Sequence, residues 1–340
     1  MNEKKLVMIG CGTVGQGLLE IIKDKTPNIK LIAISDKLKG SLIDPKGIDI
    51  PYMLGILDND GKVDDYDKAS DKAITGLDAI ETIKKSNGDI MAEMTYTDIE
   101  TGEPATSHIK AALKQGMHVT TSNKGPAALY YTKLQKLASD NGVKLFIEGT
   151  VMSGTPIFNL ARECFAGSKI TEVSGILNGT TNYILSKMEN EGWDYKDALK
   201  KAQELGYAEA DPTADVEGHD ALAKVVILSN CILGGNIKPE DVPCEGINNI
   251  TLEDVKEAAE NGMRYKLLGS TKIEENKITA SVKPVKLELS NPLAGVGGAT
   301  NALTFKTDLL GEVTIQGPGA GKIETGYSIF VDIISILNHE

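Results

Sequence analysis

The chain has few cysteines and no long apolar run. Its four cysteines are scattered and form no CxxC pair, so neither a zinc site nor a disulfide framework is expected: Cys11, Cys164, Cys231 and Cys244. No apolar segment approaches the roughly 20 residues of a membrane-spanning helix. The N-terminal MNEKK leads directly into LVMIGCG, which leaves no room for a signal peptide. We therefore expect a protein of the reducing cytoplasm that does not enter the membrane.

Basic residues are also too few for a polyanionic partner. The chain has 36 Lys and Arg against 48 Asp and Glu, a formal net charge of -12. This balance argues against nucleic acid or an anionic membrane surface as a partner. An anionic cofactor would have to be bound locally, by backbone amides or a few lysines. With 340 residues and 41% hydrophobic residues, the chain is long enough for two domains.

The first motif is a glycine-rich turn after a short apolar run. GCGTVG at 10–15 follows Leu6–Ile9, precedes an apolar-periodic helix, and is followed by a second apolar run that ends at Asp36. This order is the fingerprint of a dinucleotide-binding βαβ unit, in which the helix N-terminus binds the pyrophosphate and the acid meets the ribose. The predicted cofactor residues here are Gly10, Gly12, Thr13, Val14, Gly15 and Asp36. Lys37 and Lys39 could instead meet a 2′-phosphate, so NAD and NADP both remain open.

Strands and helices continue to alternate as far as residue 148. Predicted strands at 89–94, 117–121 and 143–148 are separated by helices at about 107–115 and around 134–137. This alternation predicts a Rossmann-type, doubly wound parallel sheet, whose ligands lie beyond the carboxyl ends of the strands. Thr95, Ser122 and Lys124 follow such ends, so we add them to the predicted cofactor site.

The segment Leu205–Leu228 combines several acids with a single lysine. Five carboxylates surround one lysine, and Asp220 and Lys224 are four residues apart on a predicted helix, so they share a face. Taken alone, such a pair is more typical of a surface ion pair than of a catalytic site. Asp211 and Glu217 are interpreted as ordinary loop charges.

The second half of the chain departs from the alternating pattern. Helices are predicted at about 181–190, 194–205, 217–233 and 251–262, with strands at 170–177, 264–274, 277–289, 302–307 and 311–318. This order indicates an α+β domain for substrate binding and dimerisation. We assign residues 1–147 and 308–340 to the NAD(P)-binding domain and residues 148–307 to the second domain. A last helix is predicted at 327–337.

Six motifs together resemble the homoserine dehydrogenase family along nearly the full chain. They are GCGTVG at 10–15, SNKGP at 122–126, EGTVMSGTPI at 148–157, GILNGTTNYIL at 175–185, LGYAEADPTADVEGHDALAK at 205–224 and GPGAGKIETG at 317–326. The resemblance implies an NAD(P)-dependent oxidoreductase that interconverts L-homoserine and L-aspartate 4-semialdehyde in threonine and methionine biosynthesis. It also implies a homodimer. There is no room for a C-terminal regulatory domain or an N-terminal kinase domain, so we expect the monofunctional form.

The resemblance also assigns roles to individual residues. Lys224 and Asp220 match the family's catalytic pair, and Lys124 matches a lysine facing substrate and nicotinamide. We hypothesise that Lys224 donates the proton and Lys124 polarises the oxygen. The remaining implied residues are Glu209, Asp215, Gly179 and Thr180 for substrate; Gly321 for cofactor; and Glu148, Val151, Ser153 and Thr155 for a monovalent cation such as sodium. For the cation loop and for the GPGAG turn, a tight turn without a ligand is an open alternative.

Two other functions remain possible from the sequence. One is a different amino-acid dehydrogenase with the same two-domain plan, which would prefer another substrate. The other is a non-catalytic sensor that binds NAD(P) without turnover.

Overall fold

The computed structural model describes residues 3–338, which divide into two compact units. Unit 1 contains residues 1–154 and 321–340, and unit 2 contains residues 155–320. The chain therefore leaves unit 1 once and returns to it once. The assignment of functions to residues 1–147 with 308–340 and to residues 148–307 stays a prediction.

Unit 1 alternates strands and helices along most of its length. Its elements are β1 (Lys4–Ile9), α1 (Thr13–Lys25), β2 (Ile29–Asp36), β3 (Gly40–Ile43), α2 (Ile50–Asp58), β4 (Ile74–Thr75), α3 (Ala79–Ser86), β5 (Ile90–Glu93), α4 (Ala105–Lys114), β6 (His118–Thr121), α5 (Lys124–Asp140), β7 (Leu145–Phe146) and, after unit 2, α12 (Lys322–Asn338).

The seven strands of unit 1 form one sheet in the order β4-β3-β2-β1-β5-β6-β7. The strands β2, β1, β5, β6 and β7 pair in parallel, whereas β3 and β4 add an antiparallel edge next to β2. The predicted Rossmann-type sheet is confirmed, with this edge as an addition. The strand predicted at 143–148 is wrong in extent, because the chain turns into a short 3-10 helix at Glu148–Thr150.

The helix that returns to unit 1 completes its core. Ile329, Ile333 and Ile336 of α12 are fully buried in the same apolar cluster as residues of β1 and α1. This helix begins at Lys322, five residues earlier than the predicted 327–337. Unit 1 is therefore assembled from two separate stretches of chain.

Unit 2 has an α+β arrangement. Its elements are α6 (Ile157–Asn159), which continues as a π-helical turn at Leu160–Cys164, β8 (Ile170–Ile176), α7 (Gly179–Glu191), α8 (Tyr195–Glu204), α9 (Thr213–Val216), α10 (His219–Cys231), α11 (Leu252–Glu260), β9 (Met263–Glu274), β10 (Lys277–Glu288), β11 (Thr300–Thr307) and β12 (Gly311–Pro318).

The sheet of unit 2 is antiparallel and has the order β10-β9-β8-β11-β12. Helices α7, α10 and α11 contact its strands. The predicted strands in this half are confirmed to within a few residues, and so is the predicted α+β class. Among the described residues, no helix is both long and apolar enough to cross a membrane.

Candidate active site

The turn between β8 and α7 forms one wall of a polar cluster in unit 2. Asn178 is the N-cap of α7, and its Oδ1 accepts hydrogen bonds from the backbone N and the Oγ1 of Thr181, at 2.9 and 3.1 Å. Gly179 lies so close to the 299 peptide that an added Cβ would be 2.6 Å from the Ala299 oxygen. Thr180 Oγ1 donates to the Tyr207 carbonyl at 2.7 Å. The turn is thus held by the Ala299 backbone on one side and by the Tyr207 carbonyl on the other.

Helix α10 brings Asp220 and Lys224 to this turn. Lys224 Nζ lies 2.8 Å from Asp220 Oδ2 and 2.6 Å from the Leu177 carbonyl oxygen. Lys224 is only 7% exposed. The pair is therefore not the exposed ion pair that i,i+4 spacing alone favours. Two of the three ammonium N–H groups are used by these contacts.

Asp215, on α9, joins the same cluster. Asn178 Nδ2 donates to Asp215 Oδ1 at 2.6 Å and to Asp220 Oδ2 at 3.0 Å. Burial, and to a smaller extent the nearby Asp220 charge, raises the pKa of Asp215; hydrogen bonds from Asn178 and Thr180 and the charge of Lys224 oppose that rise. Two carboxylates, one amide and one ammonium therefore form a single network.

Asn178 is a site residue that the sequence analysis did not single out. The available signal was its position, since an Asn immediately before an apolar-periodic helix is a typical N-cap. That signal predicts the cap but not the bond to either acid.

The other acids of the 205–220 segment lie outside this network. Glu209 is exposed, and within residues 3–338 no hydrogen bond or ion pair joins its carboxylate to Asp215, Asp220 or Lys224. Asp211 Oδ1 accepts from the backbone N and Oγ1 of Thr213, which makes it a local turn residue. Glu217 contacts His219 on the surface.

The glycine-rich turn of unit 1 has the close contacts that a dinucleotide site requires. Gly10 has a φ of +96°, and an added Cβ would lie 2.5 Å from the Met94 oxygen. At Gly15 an added Cβ would lie 2.6 Å from the Gly10 oxygen. Gly12, the N-cap of α1, has open space on its Cα, and the helix then begins at Thr13 and Val14. The turn therefore leaves its backbone amides approachable, and its residues fit a pyrophosphate.

Asp36 is the last residue of β2 and lies beside this turn. Its Oδ2 accepts from the Cys11 backbone N at 2.7 Å, and its Oδ1 accepts from the backbone N of Leu38 and Lys39 at 2.9 and 3.1 Å. Three backbone amides thus hold the carboxylate in place. Burial, together with Asp36, raises the pKa of the Cys11 thiol to about 12, so this cysteine stays neutral.

A buried acid connects the ends of β5 and β6. Glu93 is fully buried, and it accepts hydrogen bonds from Thr95 Oγ1 and from Thr121 Oγ1, and contacts His108. Asn123 then donates to the Thr95 carbonyl and caps α5, whose first residue is Lys124.

The sequence analysis also missed Glu93. The available signal was its position, since Glu93 is an acid at the end of an apolar strand. It connects the segments that carry three predicted residues of unit 1, namely Thr95, Ser122 and Lys124.

The predicted cation residues lie in both units. Glu148 and Val151 are fully buried, and Met152 and Ser153 have φ values of +58° and +50° in a tight turn. Ser153 Oγ lies 2.7 Å from Thr325 Oγ1, both in unit 1. Thr155 belongs to unit 2, where its Oγ1 is 3.4 Å from the Pro318 oxygen.

Gly321, the remaining predicted cofactor residue, lies in unit 1 with a φ of +145°, directly before α12. Within the described part of the chain, no group of three or more His, Cys, Asp or Glu side chains could hold a metal ion.

Two family models together match most of the chain. Residues 10–148 match the model described as the NAD binding domain of homoserine dehydrogenase, and residues 156–334 match the model described as homoserine dehydrogenase.

Similar proteins and structures carry the same description. An NAD(+)-dependent homoserine dehydrogenase of Pseudomonas canavaninivorans is 42% identical, over 99% of this chain and 97% of that protein. The homoserine dehydrogenase of Methanocaldococcus jannaschii is 40% identical over 98% of both. The crystal structure of a putative homoserine dehydrogenase from Archaeoglobus fulgidus has a TM-score of 0.87 and 38% identity, over 98% and 99% of the two chains. A hyperthermophilic archaeal homoserine dehydrogenase in complex with NADPH has a TM-score of 0.83 and 32% identity, over 99% and 98%.

Proposed function

The chain belongs to the homoserine dehydrogenase family, and we propose that Lys224, Asp220 and Asp215 carry proton transfer and substrate binding in its reaction. It is an NAD(P)-dependent oxidoreductase that acts on a CH–OH group and interconverts L-homoserine and L-aspartate 4-semialdehyde. The reaction belongs to the biosynthesis of threonine and methionine.

Reduction of the semialdehyde needs a hydride and a proton. The nicotinamide cofactor supplies the hydride when it is bound. The protein must place a proton donor at the carbonyl oxygen, where negative charge develops. A lysine ammonium satisfies both requirements, because it is a cation and a proton donor at once.

The contacts of Lys224 are the observation that carries the proposal. Its ammonium donates to Asp220 and to the Leu177 carbonyl, which leaves the third N–H for a substrate oxygen. Asp220 holds the ammonium in a fixed orientation. Lys124 is proposed to polarise the same oxygen, as its place in the SNKGP motif implies.

The amino-acid end of the substrate needs groups of opposite charge. Asp215 is a half-buried carboxylate joined to Asp220 through Asn178, and it is proposed to bind the substrate ammonium, together with Glu209. The backbone amides of Gly179 and Thr180 lie in the first turn of α7, where amides lack an intrahelical acceptor. They are suited to the substrate carboxylate.

Lys224→Met tests the proton donor. It retains the apolar stem but lacks the ammonium, so kcat should fall on the order of 10²-fold or more. Affinity for NADH, measured by fluorescence titration, should stay unchanged. Lys200→Met, at an exposed position on α8, is the matched control and should retain full turnover. Near-normal kcat in Lys224→Met would remove Lys224 from the mechanism.

We further propose that the chain prefers NAD to NADP. Asp36 is held beside the glycine-rich turn by three backbone amides, so it cannot easily move away from a 2′-phosphate. A fixed carboxylate suits a free ribose hydroxyl and repels a phosphate. The Pseudomonas relative is named for NAD(+), whereas an archaeal relative was solved with NADPH.

The ratio of kcat/KM with NADH to that with NADPH tests this preference. The ratio should exceed one and should fall in Asp36→Asn, which removes the charge and retains one of the two oxygens that accept from the backbone amides. A ratio below one in the unmodified protein would reverse the assignment and favour a role for Lys37 and Lys39.

A monovalent cation is proposed at the 148–155 segment. Glu148 is a fully buried carboxyl group at a tight turn. Its side chain with the backbone oxygens of Val151, Ser153 and Thr155 would form the all-oxygen set that a hard cation prefers. Thermal unfolding in NaCl and in choline chloride at equal ionic strength tests this: only sodium should raise Tm, and Glu148→Gln should lose that increase.

The resemblance also supports a cytoplasmic homodimer. Sedimentation velocity should give twice the 36.3 kDa chain mass. A single-chain mass at micromolar concentration would contradict the dimer.

A further inference from the structure

One amide group spans the two carboxylates of the site. Asn178 Nδ2 lies 2.6 Å from Asp215 Oδ1 and 3.0 Å from Asp220 Oδ2. Both acceptors are carboxylate oxygens, so both N–H protons of the amide are used. The opposite end accepts from the Thr181 backbone N–H, which can only donate. The orientation of the amide is therefore fixed by its partners.

The amide also contacts both functional halves of the cluster. Asp220 Oδ2 accepts from Asn178 and from Lys224 Nζ at once. Asp215 is proposed to face the substrate ammonium. Asn178 is only 4% exposed, so water does not replace these contacts easily.

We infer that Asn178 is a positioning residue that keeps Asp215 and Asp220 apart as two separate acids, one for the substrate and one for Lys224. This inference rests on the proposed roles of those residues. Without the bridge, two nearby carboxylates tend to share one proton, because the second charge is repelled by the first. Asp215 would then bind the substrate ammonium less well.

The groups around Asp215 determine in which direction its pKa changes when the Asn178 bond is lost. Asp220 and Lys224 face it from α10, and Asn178 and Thr180 face it from α7. The Asn178 hydrogen bond lowers the pKa of Asp215 against burial and the Asp220 charge. Loss of that bond raises this pKa, so substrate binding fails at a higher pH as the solution is acidified.

Asn178→Ser removes the bridge between Asp215 and Asp220 but retains the N-cap of α7. Serine caps a helix about as well as asparagine but is too short to span both acids. We expect Tm close to that of the unmodified protein, unchanged NADH affinity, and kcat/KM for homoserine reduced on the order of tenfold, as for loss of a hydrogen bond to a charged group. The acidic limb of the pH profile of kcat/KM should move to higher pH.

Two further variants complete the comparison. Asn178→Asp also preserves the cap but adds a third carboxylate, so its acidic limb should move further in the same direction. Asp194→Ser, the same kind of exchange at the exposed N-cap of α8, should change neither the rate nor the profile.

An unchanged pH profile in Asn178→Ser would overturn the inference, and so would a drop in Tm that accounts for the whole loss of activity. Lys224→Met, measured in parallel, distinguishes a failure of the Asn178 inference from a failure of the proposed function. If it is inactive while Asn178→Ser is normal, only the bridge is wrong. If Lys224→Met turns over normally, the proposed function itself fails.

Discussion

Two lysines of unit 2 are buried in different surroundings. Lys224 has a carboxylate within hydrogen-bond distance, whereas Lys266 on β9 donates to two neutral oxygens, Asn182 Oδ1 at 2.9 Å and the Val296 carbonyl at 2.5 Å. Lys266 is only 2% exposed. Burial lowers the pKa of Lys266 to about 8, although the charge of Glu189 opposes this.

Lys266 gives a prediction about stability. Its folded-state pKa lies below the ordinary lysine value of 10.5, so between pH 8 and 10.5 the unfolded chain binds a proton that the folded chain does not. The folded state therefore gains stability as pH rises through this window. Relative to Lys266→Met, the unmodified protein should gain about 2 kcal/mol in free energy of unfolding between about pH 7 and about pH 9.5.

Urea unfolding at the two pH values measures this difference. Lys272→Met, on the same strand, is the control, because the Lys272 side chain is 44% exposed and its ion pair with Glu274 raises its pKa. A constant difference between Lys266→Met and the unmodified protein would contradict the lowered pKa of Lys266.

The contact between Asp220 and Lys224 was predictable from the sequence. Asp220 and Lys224 are adjacent on one helix, and helical spacing alone places them together. The bonds from Asn178 to Asp215 and Asp220 join residues 37 and 42 positions apart, which no local pattern specifies. Burial of the pair was also not predictable from spacing, because an exposed helix face has the same i,i+4 pattern.

Among the elements, α1 and α12 illustrate how glycine permits close helix packing. An added Cβ at Gly17 would lie 2.1 Å from the Lys322 oxygen, and one at Gly326 would lie 2.7 Å from the backbone of Gly17. The two helices contact through backbone at both points. Neither glycine belongs to the dinucleotide fingerprint, so their role is packing.

Gly17→Ala should therefore destabilise the protein by about 2 kcal/mol or more, since the added methyl meets backbone that can move only with its helix. Gly55→Ala is the matched control, because Gly55 lies inside α2 with open space around it. There alanine should stabilise the helix by about 0.5–1 kcal/mol. Chemical denaturation of both variants measures the contrast, and equal effects would contradict the close contact.

Long helices and strands are predicted from the sequence better than short ones. The periodicity of α1 and α10 and the length of the strands β9 and β10 were sufficient for their prediction. Strands β3, β4 and β7 have two to four residues, too few to establish an alternation. The antiparallel edge of the first sheet was missed for this reason.

For the whole molecule, the decisive feature is the return of α12 to unit 1. Ile333 is fully buried in the core of unit 1, whereas Ile323 on the same helix is 44% exposed. Ile333→Ala should lower the free energy of unfolding by about 2–5 kcal/mol, and Ile323→Ala by about 0.5 kcal/mol or less. Thermal unfolding of the two variants makes the comparison, and similar Tm losses would exclude α12 from the core.

The interrupted course of unit 1 also sets an order of events during synthesis. A ribosome delivers β1 to β7 first, then all of unit 2, and only afterwards the helix with Ile329, Ile333 and Ile336. Domains generally fold as units while the chain emerges. Unit 2 is contiguous and can complete its core as soon as it is made. Unit 1 is translated first but completed last, and in the interval the apolar surface that α12 later covers is exposed to aggregation.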